Sequence, residues 1–414
     1  MKQLSINAAR LRALLDGVNA HGLNPATGGC NRPSFSAADM AARHWLAEQM
    51  RADGLTVRLD AAGNVIGRFG PEQGPCIMSG SHLDTVPEGG AFDGLLGVCA
   101  ALESVRAMQD AGLVPARAIE VVATAEEEGR YGGMLGSQTI AGQIPAGWLA
   151  GAVSASGELL TDAMRAQGLD PTKLAASARR ADEVTAFVEL HIEQGPVLEA
   201  EGIPIGLVEG ISGISSLAVR FMGKANHSGT TPMHLRADAF AGLAQVAVAI
   251  DAIIEQFGGP QSRITIGQVN LQPNFAHTIP GQADFTVIIR DSTEASLHQL
   301  RDAIADTVRS AAAAHRLDAT IEEQSWLAPI ELDQSLRQVV QQQATALGLA
   351  TMPMPSGAGH DAQTMQSLCP SALIFVPSRD GVSHSPREWT DWRYLEQGAN
   401  LLLATLRQLS GAGE

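Results

Sequence analysis

Short apolar runs along this chain end repeatedly in charged and imidazole side chains. Residues 76–78 and 121–123 read as buried parallel strands. The first is followed by His82, Asp84 and Asp93, the second by Glu126, Glu127 and Glu128. Residues 185–192 (TAFVELHI) repeat the pattern, delivering His191 and then Glu193, Gln194 and Gly195. A fourth run, 372–376, leads into SRDGVSHS and His384. Helices are expected at 5–19 and 36–53; the second opens on Ser36 with Asp39 three residues later, a capping-box-like start, and ends at Gly54. LTVRLDAAGNVIGRF predicts a hairpin turning near 62–64. A helix over Leu95–Asp110 lies between the first two strands, so the order is β-α-β and the sheet largely parallel under helices. Residues 141–183 are rich in Ala and Gly, with helical stretches and no catalytic signature.

From residue 215 to about 327 the pattern changes. It reads strand (SSLAVRFMG), helix (236–257), strand (ITIGQVNL), strand (ADFTVIIRD), helix (293–315), strand (ATIEEQS), a split βαβ or ferredoxin-like unit. Residues 335–347 then return to helix. The expected fold is α/β, a mostly parallel sheet with helices on both faces over 1–212 and 328–414. A ferredoxin-like α+β domain over 213–327 is inserted into it.

In open α/β sheets ligands bind beyond the carboxyl ends of the strands, where these polar clusters fall. Imidazole and carboxylate together suit Zn²⁺ or Mn²⁺, with Co²⁺ or Ni²⁺ as alternatives. His82, Asp93, Glu128, His191 and His384 suffice for two cations about 3.5 Å apart if Asp93 bridges them. Asp84, two residues from His82, shares its side of an extended chain and is expected to accept the other imidazole N–H. Glu127 is the candidate general base. Taken singly, a histidine at a strand end is most often structural, and a run of Glu is a solvated helix start. The joint pattern is what points to a metal hydrolase.

Composition narrows the classes further. At 414 residues the chain exceeds one ordinary core, so two domains are expected. A net charge of −16 argues against a nucleic-acid or anionic-membrane partner. Cys30, Cys76, Cys99 and Cys369 are scattered, which disfavours a disulfide framework or thiolate zinc site. The first residues lack the apolar core of a signal peptide, and no run of 18 apolar residues is seen, so a soluble cytoplasmic protein is expected.

SHLDTVPEGGAFDG, AEEEG, HIEQGPVLE, KANHSGTTPM, SGAGHDAQ and FVPSRDGVSHSPREWT resemble the amidase/hydantoinase/carbamoylase branch of the M20 metallopeptidase superfamily, from about Arg32 to Trp389. The resemblance implies a di-metal catalytic domain and a dimerising ferredoxin-like domain. His82 and His191 would hold one metal, Glu128 and His384 the other, with Asp93 between them. Glu127 would activate water and pass its proton to the leaving nitrogen. His227 would reach into the partner subunit's site and stabilise oxyanion charge. Gln194, Arg290 and the backbone of Gly381 would bind substrate, Arg290 taking its carboxylate. The implied reaction is cleavage of a ureido C–N bond. An N-carbamoyl-L-amino acid is the first expectation, then allantoate, ureidoglycolate or a β-ureido acid; an aminoacylase, a dipeptidase or a non-catalytic metal-dependent binder stands outside ureido chemistry. Two departures stand out. AHTIPG puts His277 where such enzymes usually carry an Asn that contacts substrate, and RYGGMLGS is shorter than the usual segment after EEEG, which tilts away from allantoate. His360 and Asp361 are expected to be structural, and Arg236 and Asp238 to fix the start of a helix.

Overall fold

Four largely apolar segments form four neighbouring parallel strands in the computed structural model, which describes residues 4–145 and 147–413. Ala118–Thr124, Cys76–His82, Val184–Ile192 and Ser371–Val376 lie side by side in that order. Cys76–His82, Ala118–Thr124 and Ser371–Val376 are buried at every position. Successive side chains face opposite sides of a sheet, so both faces are covered, as a parallel sheet requires. This is the mostly parallel sheet expected, flanked by antiparallel strands. Val65–Phe69 and Thr56–Leu59 extend one side, Ile205–Ile211 and Ile330–Glu331 the other.

Helices Ala8–Asn19, Ala37–Ala52, Leu95–Asp110 and Trp392–Ser410 bury Leu11, Leu46, Leu102 and Leu402 in one core with the sheet. Ser36 caps Ala37–Ala52 by accepting the Asp39 N–H at 3.2 Å. The reciprocal half of a capping box is not formed, because the Asp39 carboxylate accepts from Phe35 N–H and Arg43 instead.

The chain divides into two compact units, Met1–Glu209 with Leu332–Glu414, and Gly210–Glu331. In the second, four antiparallel strands run in the order Asp318–Leu327, Gly213–Met222, Gln282–Asp291, Arg263–Gln272. Ala283, Phe285, Val287 and Ile289 alternate inward and pack on Leu243, Val246, Leu300 and Ile304 of helices Ala239–Phe257 and Glu294–His315. Asp238 caps the first of these helices through the N–H groups of Phe240 and Ala241, and Arg236 bonds the carbonyls of Thr231 and Ser228 just before it. Ala239–Phe257, with a mean hydropathy of 1.4, is long and apolar enough to cross a membrane by length and composition. Part of its surface fills the unit's core through Leu243 and Val246, while Phe240 and Val248 stand exposed.

Candidate metal centre

The four parallel strands end side by side, and each delivers a polar group to the same end of the sheet. His82 closes Cys76–His82, opposite Thr124 in register, and His191 lies opposite Phe375. Glu127 and Glu128 follow Ala118–Thr124, His384 follows Ser371–Val376, and Asp93 precedes helix Leu95–Asp110. Between Asp93 and that helix Gly94 has φ +64°, and a Cβ there would fall 2.4 Å from His82 Nε2. The turn must therefore be glycine for helix and imidazole to meet.

The two oxygens of Asp93 face different partners. His82 Nε2 and His191 Nε2 lie 3.5 and 3.1 Å from Oδ1, and His384 Nε2 lies 3.2 Å from Oδ2. His384 Nε2 is also 3.3 Å from Glu128 Oε2, and Glu127 Oε2 is 3.6 Å from His82 Nε2. Two ligand groups result, His82–Asp93–His191 and Asp93–Glu128–His384, each within 4.8 Å. His82 Nδ1 bonds the Asp84 carbonyl at 2.9 Å and His191 Nδ1 the Ile192 carbonyl at 2.8 Å. Each Nδ1 therefore carries the hydrogen, which turns the Nε2 lone pairs towards a carboxylate. Acceptors facing acceptors are reconciled only by protons or by cations, and this donor set fits a pair of divalent cations.

Charge balance within the cluster agrees. Burial pulls His82 down, yet Glu127 and Asp93 hold it well above its ordinary range; His191 is raised against burial by Asp93. The Asp93 contact lifts His384 to about 9. Asp93 is driven the other way, well below the carboxylate range, because three imidazoles outweigh its burial. Burial pushes Glu127 well above its ordinary value and Glu128 to about 7, with Asp93 adding to the latter.

Asp84 departs from its expected use. Its backbone carbonyl, not its carboxylate, holds His82. The carboxylate accepts Ser34 Oγ at 2.8 Å and the N–H groups of Glu127 and Glu128 at 3.4 and 3.2 Å, so it orients the loop bearing both acids. Gln194 is turned inward, its amide 2.9 Å from Asp93 Oδ2. Gly381 closes a short turn packed on the backbone of Gly195 and Pro196. His360 and Asp361 fall outside the two ligand groups that share Asp93: His360 bonds Ser356 Oγ, packs edge-on against His191 and clusters with Glu189, and Asp361 accepts Thr124 Oγ1.

His227, His277 and Arg290 belong to the second unit. Asn226–His227 pairs with Thr278–Ile279, and Ser228 N–H donates to the His277 carbonyl at 3.0 Å, which sets the two histidines close together. Gly229 N–H donates to His227 Nδ1 at 3.0 Å, so His227 carries its hydrogen on Nε2. His227 and His277 are exposed, and Arg290 is half-buried on Gln282–Asp291.

Residues 78–408 match Peptidase family M20/M25/M40. The chain belongs to that family. An N-carbamoyl-L-amino-acid amidohydrolase of Paenarthrobacter aurescens is 39% identical over 386 residues, 92% of this chain and 93% of that protein. One from Geobacillus stearothermophilus is 40% identical over 93% of this chain and 94% of its own. An allantoate amidohydrolase of Bacillus subtilis is 35% identical, with 93% and 94% covered. A hydantoinase/carbamoylase-family amidase from Burkholderia multivorans superposes with a TM-score of 0.92 at 32% identity, covering 98% of each chain. This M20-family chain is an amidohydrolase, a hydrolase of non-peptide C–N bonds. Enzymes of the family typically depend on two metal ions.

Sequence reasoning missed two acids of this M20 site. Glu189 is fully buried, accepts Ser81 Oγ at 2.6 Å and the Ala362 N–H at 2.8 Å, and is pushed to about 7 by burial and Asp361. Its place two residues before His191, on the same side of a strand, was the available signal. Glu388, four residues after His384, had no such signal.

Proposed function

We propose that the protein hydrolyses the ureido C–N bond of an N-carbamoyl-L-amino acid, giving the L-amino acid, CO₂ and ammonia, as a homodimer holding two divalent cations per subunit. The observation that carries the reading is the division of three imidazoles between the two oxygens of Asp93, with Glu128 beside His384 and the buried carboxyl of Glu127 beside His82. The names of the relatives at 39 and 40% identity support the substrate class.

His82, His191 and Asp93 would hold one cation, and Asp93, Glu128 and His384 the other, Zn²⁺ or Mn²⁺ by ligand type. Bound cations of this kind supply Lewis-acid polarisation of a carbonyl and an acidified water at neutral pH. Glu127 takes a proton from the attacking water as its oxygen bonds the ureido carbon. It returns that proton to the departing nitrogen as that C–N bond breaks, and the carbamic acid left behind loses CO₂, which frees the second nitrogen. Burial suits Glu127 to this cycle, since it raises the carboxylate's proton affinity towards neutral pH. Arg290 takes the substrate carboxylate, for which a planar guanidinium is matched. Gln194, His277 and the Gly381 backbone complete substrate binding.

His227 of the partner subunit donates from Nε2 to the oxyanion, the tautomer that its Gly229 contact supports. Dimerisation through the second unit is supported by its exposed apolar side chains, Met233, Leu235, Phe240, Val248 and Phe275. The test is turnover by Zn²⁺- or Mn²⁺-loaded protein, read as ammonia release from N-carbamoyl-L-methionine, N-carbamoyl-β-alanine, allantoate and ureidoglycolate, and as free amino acid from an N-acetyl amino acid, whose hydrolysis yields acetate and no ammonia. Preference for the first is expected. Preference for allantoate or ureidoglycolate overturns the substrate assignment, and hydrolysis of the N-acetyl compound alone overturns ureido chemistry.

A further inference from the structure

Glu388 is 4% exposed beside the metal-ligand cluster, and no step described so far uses it. Its Oε1 accepts the N–H groups of Phe92 and Asp93 at 2.9 and 3.1 Å. Its Oε2 lies 2.8 Å from Ser383 Oγ, and that hydroxyl is 3.1 Å from Asp93 Oδ2, the oxygen facing His384. One carboxylate thus fastens the turn that delivers Asp93 to the loop that delivers His384, although 295 positions separate Asp93 from Glu388. The seat is closely fitted. A Cβ on Gly90 would lie 2.0 Å from the Glu388 carboxyl carbon, and Gly90 is outside the left-handed region, so space alone keeps it small.

We propose that Glu388 is a positioning residue for the cation pair. It sets the Asp93 carboxylate and, through Ser383, the alignment of Asp93 with His384, so that its loss weakens chiefly the Asp93–Glu128–His384 half. The inference rests on the two-cation reading above. Two contributions are separable. Oε1 fixes the backbone that carries Asp93, while the negative charge behind Asp93 strengthens it as a ligand, and partners in this outer layer are typically worth 10–100-fold in metal affinity. Glu388→Gln keeps an oxygen for both N–H groups, removes the charge and turns the group facing Ser383 Oγ from an acceptor into a donor. Glu388→Ala removes both contributions. Gly90→Ala leaves Glu388 chemically intact and displaces its carboxylate.

The experiment is titration of metal-free protein with Zn²⁺ in competition with a chromophoric chelator, which yields two dissociation constants, beside the thermal midpoint of each metal-free variant. Wild type should take up two Zn²⁺. Glu388→Ala and Gly90→Ala should each weaken one site by about 10–100-fold and leave the other near wild type, with Glu388→Gln between them. Because both changes break one contact, the double variant Gly90→Ala/Glu388→Ala should bind no worse than Glu388→Ala alone. Unchanged constants in Glu388→Gln and Glu388→Ala, or a lower thermal midpoint with unchanged constants, would overturn the positioning role. So would losses that add in full in the double variant. Uptake of fewer than two Zn²⁺ by wild type would instead bring down the two-cation reading itself.

Discussion

The two units hold their candidate residues in opposite ways. In the first, His82, Asp93 and His191 are buried and the imidazoles are aimed by backbone carbonyls at the strand ends. In the second, His227 and His277 are exposed on a two-residue ladder and a turn, beside an exposed Phe275. The first arrangement costs charge burial and yields a preorganised site. The second leaves donors at a surface, where another chain or a ligand can complete them. Changes in the first unit are therefore expected to stop the chemistry within one subunit, and changes in the second to act through substrate binding, specificity or the neighbouring chain.

The largest effect sharpens the first half of that contrast. Glu127→Gln should lower kcat by about 10²–10⁴-fold while the content of two metals per chain stays at the wild-type level. Metal analysis beside steady-state kinetics checks this. Loss of metal together with turnover would make Glu127 a ligand and break the division of labour between Glu127 and Glu128.

Next comes the claim that the exposed histidine serves a neighbour. His227→Ala should reduce kcat by about 10²–10³-fold, as removal of an oxyanion donor does. Arg290→Ala should fail through substrate binding. Mixed and allowed to exchange subunits, the two variants should regain up to about a quarter of wild-type activity, since half the dimers would be hybrids with one intact site each. A mixture that stays inactive would place His227 in its own subunit's chemistry or in none.

The same contrast marks how far the sequence could be read. The strands Cys76–His82, Ala118–Thr124, Val184–Ile192 and Ser371–Val376 were legible because each carries the apolar run that a strand buried on both faces needs, and their ends expose whatever follows. His82, Asp93, Glu127, Glu128, His191 and His384 came with them. The capping-box pattern at Ser36 misled only about Asp39, whose carboxylate is claimed by Arg43, a buried guanidinium that also bonds the carbonyls of Ala123 and Thr124. Asp84 misled in a similar way. The side of the chain it shares with His82 is a local property, whereas the empty N–H groups of Glu127 and Glu128 come from a distant strand end. Glu388 depends on a contact nearly 300 residues away and leaves no periodic trace. Nothing local distinguishes His227 from any loop histidine, so its role came from resemblance alone.

A smaller effect is expected at His277. An imidazole can offer one hydrogen bond where an amide offers a donor and an acceptor, and its shape differs. His277→Asn should shift the ratio of kcat/KM between an N-carbamoyl-L-amino acid and allantoate by about 10-fold, without abolishing turnover. An identical profile across the substrate panel would remove this position from substrate binding.

The smallest expected effect concerns stability. In the cation-free fold Glu128 holds its proton to about 7 because of burial and Asp93, and His384 to about 9 because of its contact with Asp93, against ordinary values of 4.5 and 6.5. Both groups bind protons more tightly folded than unfolded. Their stabilisation is therefore complete below about 4.5 and 6.5 respectively, and is lost as pH rises through 7 and then 9. Asp93 works in the opposite sense, but its depressed value confines that dependence to acid pH. The thermal midpoint of metal-free protein should therefore fall between pH 6 and 9. With two Zn²⁺ bound, cations take the place of those protons, and the fall should flatten. A metal-free midpoint that stays level from pH 6 to 9 would mean the cluster relaxes when empty, and that the first unit's preorganisation is supplied by the cations rather than by the fold.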